Sequence, residues 1–173
     1  MKPQRDQNDS ASRTPVGLFA VLLLVLGEAC ASVPMATAQE DLRMKQNLRA
    51  PPGRSLIVLY RNEGFGSAVK MPVMLDGRVA GATAAHVYFV WEVLPGPHQL
   101  ASLTENTARL SLRADPGWTY FVWQEVKMGT WQAGSALHLV DERAGRRAVA
   151  ECKLAKSQIG PPPSSSPPVS VAP

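Results

Sequence analysis

Between Arg54 and Lys156 the chain breaks into short apolar runs, each closed by a turn signal after six to ten residues or so. No run in this stretch keeps a helical period long enough for a bundle, so this punctuation restricts the fold to packed sheets. Ser55 to Arg61 (SLIVLYR) is apolar on both faces, as a central strand would be. Lys70 to Leu75 contains Pro72, which cannot donate to a ladder and points to a sheet edge. Asp76-Gly77 follows, a pair that tolerates positive φ at both turn positions, and Arg78 to Gly81 returns. His86 to Leu94, Pro95-Gly96-Pro97 and His98 to Thr104 form a strand, a turn and a returning strand. Ala108 to Ala114 alternates cleanly, with Ala108, Leu110, Leu112 and Ala114 on one side. Asp115-Pro116-Gly117 turns the chain into Thr119 to Met128, and Ser135 to Val140 completes the set with Leu137 and Leu139 inward.

About seven strands at this spacing predict an all-β fold, an antiparallel β-sandwich. One C-terminal helix is expected after it. Asp141 is a suitable N-cap, Glu142 suits the first turn, and Ala148, Cys152 and Ala155 recur at helical spacing. Gly145 weakens that first turn. The expected sandwich domain spans residues 53–157. Residues 30–52 lack periodicity and are expected to be a tether. Residues 158–173, ending GPPPSSSPPVSVAP, are too rich in Pro and Ser to bury a core and are expected to be disordered.

The N-terminal part is expected to be an export signal spanning residues 1–29. Val16 to Leu26 is an uninterrupted apolar run of 11 residues, well short of the roughly 20 that span a bilayer as a helix. Cys30 follows, preceded by Ala29 and followed by small residues, which predicts lipidation at Cys30 and attachment to a bacterial membrane. Gly27 and Glu28 are poor lipobox residues, and Asp6 and Asp9 dilute the positive charge of a long leader. A soluble periplasmic or secreted form is the alternative, cut at an A-x-A site, either Ala36-Thr37-Ala38 ahead of Gln39 or Ala29-Cys30-Ala31 ahead of Ser32. Ala31 stands where an inner-membrane retention signal would put Asp, which in a Gram-negative cell favours the outer membrane, facing the periplasm.

The charge is +4 overall, and removing residues 1–29 takes away three basic and three acidic side chains, so it stays +4. The basic residues are scattered, which argues against a nucleic-acid partner. The expected partners are the membrane and an envelope protein or polymer. His86, His98 and His138 stand at no metal-ligand spacing, so no metal and no cofactor are expected. His98 after Pro97 reads as a turn cap. Gly64-Phe65-Gly66-Ser67 lacks the lysine of a phosphate loop, and no G-x-S-x-G elbow exists. Cys152 reads as a packing thiol. Nothing in the spacing of Glu92, Glu105 and Glu125 brings two carboxylates together, so no catalytic residue is assigned. A cell-wall hydrolase is the enzymatic alternative.

Aromatics supply the candidate binding patch. On the Thr119 strand, Phe121 and Trp123 share a side with Glu125 and Lys127, opposite Tyr120, Val122 and Val126. Trp91 and Trp131 extend the patch if these rings are exposed. Cover by the C-terminal helix is the alternative for Phe121 and Trp123.

Several motifs occur in a fixed order: Cys30-Ala31-Ser32-Val33-Pro34-Met35-Ala36, Val73-Met74-Leu75-Asp76-Gly77-Arg78, Tyr88-Phe89-Val90, Leu94-Pro95-Gly96-Pro97-His98, Thr104-Glu105-Asn106, Gly117-Trp118-Thr119-Tyr120-Phe121, Gln124 to Gly129, Leu139 to Glu142 and Ala150-Glu151-Cys152. Together they resemble the small bacterial lipoproteins grouped as domain of unknown function 2846 (DUF2846), over about Pro51 to Lys156 plus the processing site. The strand, D-G turn and P-G-x-H pattern is also similar to PEGA-type surface modules. The resemblance implies a β-sandwich lipoprotein that binds or scaffolds without catalysing, with Cys30 as the acylated residue.

Overall fold

Local sterics set the hairpins before any packing is considered. A computed structural model describes residues 32–129 and 133–162. Within them the order is α1 (Ala38–Gln46), β1 (Ser55–Arg61), β2 (Met71–Leu75), β3 (Arg78–Thr83), β4 (Val87–Val93), β5 (Gly96–Leu103), β6 (Thr107–Ala114), β7 (Thr119–Lys127), β8 (Gly134–Val140), α2 (Glu142–Ala150) and β9 (Lys153–Leu154). Between β2 and β3, Asp76 (φ 51°) and Gly77 (φ 74°) both sit in the left-handed region, as the mirror-image two-residue hairpin turn requires. The Asp76 carboxylate then accepts from the Gln99 backbone N–H at 2.8 Å, tying the turn to β5.

The strands form a β-sandwich of two sheets, ordered β8-β7-β1-β4-β9 and β3-β2-β5-β6. The described residues hold nine strands, against about seven expected from the sequence. Two pairings are parallel, β1 with β7 and β4 with β9. Each follows from the chain leaving its sheet and coming back, which gives the long crossover that parallel neighbours need.

Two local expectations change. Pro72 does not mark an edge, because β2 lies between β3 and β5. Pairing with β5 begins only at Val73↔Ser102, so the proline precedes that ladder and breaks none of its bonds. Pro95-Gly96-Pro97 does not close a hairpin either. β4 belongs to the first sheet and β5 to the second, so this turn carries the chain across the sandwich.

β1 is buried along its whole length because it serves two cores. Ile57 and Leu59 face the interior between the sheets, with Val73, Leu75, Phe89, Trp91, Leu100 and Val122. Val58 and Tyr60 face outward under the helices, with Tyr88, Phe121, Ala148, Val149 and Cys152. The molecule is therefore three layers deep, helix on sheet on sheet. Asp141 caps α2 as expected, its carboxylate accepting from the Ala144 N–H at 2.9 Å. Ala155 lies beyond that helix and joins the inter-sheet core instead. On β8, Leu137 packs against the core but Leu139 is 52% exposed, a correction to its expected inward position at the open edge.

Residues 32–52 are not a free tether. Val33 and Leu48 are buried, and α1 lies between them. At the other end, Ile159 packs on the core and the Gln158 N–H donates to the Ala80 carbonyl at 2.9 Å, so the expected tail is attached over its first residues. The strand edge at β3 is covered by this contact.

Candidate functional site

The aromatic patch does not assemble. Trp91 is buried between the sheets, stacked on Phe89 with centroids 5.4 Å apart, and its indole N–H donates to Ser157 Oγ at 2.9 Å. Phe121 is buried on the opposite face of the same sheet, under α2. The two rings sit in different cores because β4 and β7 present opposite sides at those positions. Helix cover, the alternative from the sequence, is what Phe121 has. Trp123 is half-buried, packs against the His138 ring at 5.2 Å, and its indole nitrogen is buried without a hydrogen-bond partner among the described residues. Trp131 and Cys30 lie outside the described residues.

Two of the histidines serve structure. His98 Nδ1 meets Asp76 Oδ2 at 2.6 Å and its Nε2 meets the Leu94 carbonyl at 2.7 Å, so it ties the turn as expected. His138 Nε2 meets Glu125 Oε2 at 2.8 Å. The Lys127 ammonium donates to the other Glu125 oxygen at 2.6 Å and holds that carboxyl below its usual range. No group of three metal-ligating side chains occurs among the described residues. Gly64-Phe65-Gly66 wraps the fully buried Arg61, whose guanidinium donates to the Phe65, Gly66 and Val69 carbonyls at 3.1, 2.5 and 2.8 Å. That loop holds a cation of the chain itself. Cys152 is a free, buried thiol, pushed up to about 12 by burial and so kept neutral.

One polar constellation escaped the sequence reading. Thr83 Oγ1 donates to Gln124 Oε1 at 2.5 Å, Gln124 Nε2 donates to Ser102 Oγ at 2.6 Å, and Ser135 Oγ donates to Ser102 Oγ at 2.7 Å. All four are buried and they link β3, β7, β5 and β8. The network satisfies its members inside the sandwich and clamps the two sheets together. Gln124 carried the signal: it falls on the inward side of β7 with Val122 and Val126.

The most elaborate surface feature is the seam where the chain enters the fold. The Ala36 N–H donates to the Leu154 carbonyl and the Lys156 N–H to the Pro34 carbonyl, both at 2.9 Å, which adds the entering segment to the sheet beside β9. Thr37 then caps α1 reciprocally with Glu40: Thr37 Oγ1 accepts from the Glu40 N–H at 3.2 Å, and Glu40 Oε2 accepts from the Thr37 N–H at 2.7 Å. That T-x-x-E spacing was present in the sequence and marks the helix start. Asp41 fastens the helix, accepting from the Tyr88 hydroxyl at 2.8 Å and the Leu154 N–H at 3.0 Å. Lys45 donates to the Cys152 carbonyl at 2.6 Å. Hollows flank the seam. One, of about 440 Å³, lies against α1 and includes Arg43 and Met44. The other, of about 400 Å³, includes Ser32, Val33, Lys70, Val79 and Lys156. No helix of the described residues is long and apolar enough to cross a membrane.

No protein-family model matches the chain. No solved structure matches it either. A protein of Haemophilus influenzae described as uncharacterized is 30% identical over 141 residues, covering 81% of this chain and 83% of that protein. At that identity the match covers more than two thirds of both proteins and not a shared motif alone, so the chain belongs to one family with the Haemophilus influenzae protein.

Proposed function

We propose that this chain is a lipid-anchored protein of the bacterial envelope, of the DUF2846 type, held through Cys30 and facing the periplasm from the outer membrane. Its role is binding or scaffolding of another envelope component, without catalysis. The observation that carries the anchor is the seam. Cleavage after Ala38 would remove Val33 from the core, Met35 from its bridge with Ala155, and Thr37 from the α1 cap. Loss of such a cap alone costs about 1 kcal/mol. Processing at Cys30 keeps all three, as does a cut after Ala31, so the seam speaks against the Ala38 site and the mass of the mature N-terminus separates the other two. The apolar leader ahead of Cys30 supports the same choice. Both ring nitrogens of His98 are engaged and Cys152 is buried, which supports a role other than catalysis for these two residues.

Mass spectrometry of the mature N-terminus tests this. The expected result is a peptide beginning at Cys30 with a diacylglyceryl adduct, from protein that sediments with membranes. Cys30→Ala should release the protein from the membrane fraction. A mature chain starting at Ser32 or Gln39, or an unprocessed chain in the cytosol, would overturn the reading.

A further inference from the structure

The fold starts very close to the expected anchor. Only Ala31 separates Cys30 from Ser32, and two Cα steps span at most about 7 Å. Ser32 lines the 400 Å³ groove at the side of the sandwich where β3 meets the entering segment. The groove has apolar walls from Val33, Pro72 and Val79, and Val79 is 50% exposed. Lys70 and Lys156 line it too, both exposed, and no carboxylate does among the described residues. Glu40, which Lys156 also feels, already accepts from Thr37.

We infer that this groove is the membrane-facing surface of the protein, set against an anionic phospholipid bilayer with Val79 at the interface and Lys70 and Lys156 on lipid phosphates. The inference rests on the anchor reading above. The Cα of Cys30 stays within about 7 Å of Ser32, so a lipid on it keeps the groove that Ser32 lines close to the bilayer. The lysines match the charge of that surface, each strengthening attachment by about fivefold. The exposed apolar groups meet the interface, where they are more stable than in water.

The test uses the full chain, purified from membranes and reconstituted into vesicles of phosphatidylethanolamine and phosphatidylglycerol. A fluorophore is placed on Val79→Cys or, as comparison, on Leu139→Cys, which is 52% exposed. Leu139 lies on β8, four strand positions from β9 and so roughly 19 Å across the sheet. Cys152 is buried and does not compete for the label. Lipid-borne quenchers should quench the Val79 label at least threefold more strongly. Equal quenching, or stronger quenching at Leu139, overturns the inference. The Cys30 mass, taken on the same sample, reports the anchor separately. If Cys30 carries no lipid, the anchor reading fails, and cosedimentation of the unacylated protein with the same vesicles decides the surface. Binding weakened about 25-fold by Lys70→Gln with Lys156→Gln supports it, and binding that is absent or unchanged overturns it.

Discussion

Gly145 lies directly on the ring of Phe121: a Cβ at position 145 would stand 2.2 Å from Phe121 Cγ. From the sequence this glycine only weakens a helix turn. In the fold it lets α2 settle onto the sheet, with the Arg146 guanidinium 5.7 Å from the same ring. Gly to Ala in an exposed helix gains about 1 kcal/mol. Here the overpacking term of about 1–3 kcal/mol or more outweighs that gain. Gly145→Ala should therefore lower the unfolding midpoint in urea, and an unchanged or raised midpoint would show that α2 does not depend on this contact.

Trp91 and Trp123 differ in what their indole N–H groups meet. Trp91→Ala should cost about 3–5 kcal/mol, because it empties a site between two sheets and removes one of the two N–H groups that donate to Ser157 Oγ. Trp123→Phe removes an indole N–H that has no partner among the described residues, so its cost should stay below about 1 kcal/mol. Chemical denaturation of both variants gives the comparison, and equal losses would contradict it.

Asp41 is the clasp of the entering seam. Asp41→Ala takes the carboxylate from the Leu154 N–H and leaves the Tyr88 hydroxyl only the long contact to the residue 41 carbonyl, at a cost of about 2–3 kcal/mol. The ion pair with Lys45 adds little, being partly exposed. Asp41→Asn keeps a side-chain oxygen and should recover most of the loss. Amide exchange over α1 reads the effect: protection should fall in the alanine variant before the β-sandwich is affected.

Alkaline pH should unfold the outer core. Burial pushes the Cys152 thiol up to about 12 from 9.0 and the Tyr60 hydroxyl up to about 12 from 10.0. In the unfolded chain both ionise near their ordinary values, so the folded state holds more protons between pH 9 and 12. The stabilisation is complete below pH 9 and declines as pH rises through that window. Burial also pushes up the Tyr88 hydroxyl, so Cys152→Ala should flatten the onset near pH 9 and leave the part from Tyr60 and Tyr88, which begins near pH 10. Identical pH profiles of urea unfolding for the two proteins would refute this.

Strand positions were legible because they follow from local rules. Alternation along β6, the left-handed pair at Asp76 and Gly77, and the cap at Asp141 each involve only a few neighbouring residues. The side chains that share a face of β7 were legible too, since parity is fixed by the pleat. What each face meets was not. Trp91 and Phe121 read as one patch, yet a sheet stands between them, because strand order is set by contacts far apart in sequence. Residues 32–52 read as a tether because α1 shows no buried stripe of its own. It is held by Asp41 and Lys45 reaching residues more than 100 positions later, in β9 and just before it. Backbone sterics and period-two patterning act within a few residues and are written in the sequence. Sheet order, the crossing at Leu94, the polar clamp through Gln124 and the docking of residues 33–48 beside β9 depend on which distant surfaces bury one another, and only the tertiary structure decided them.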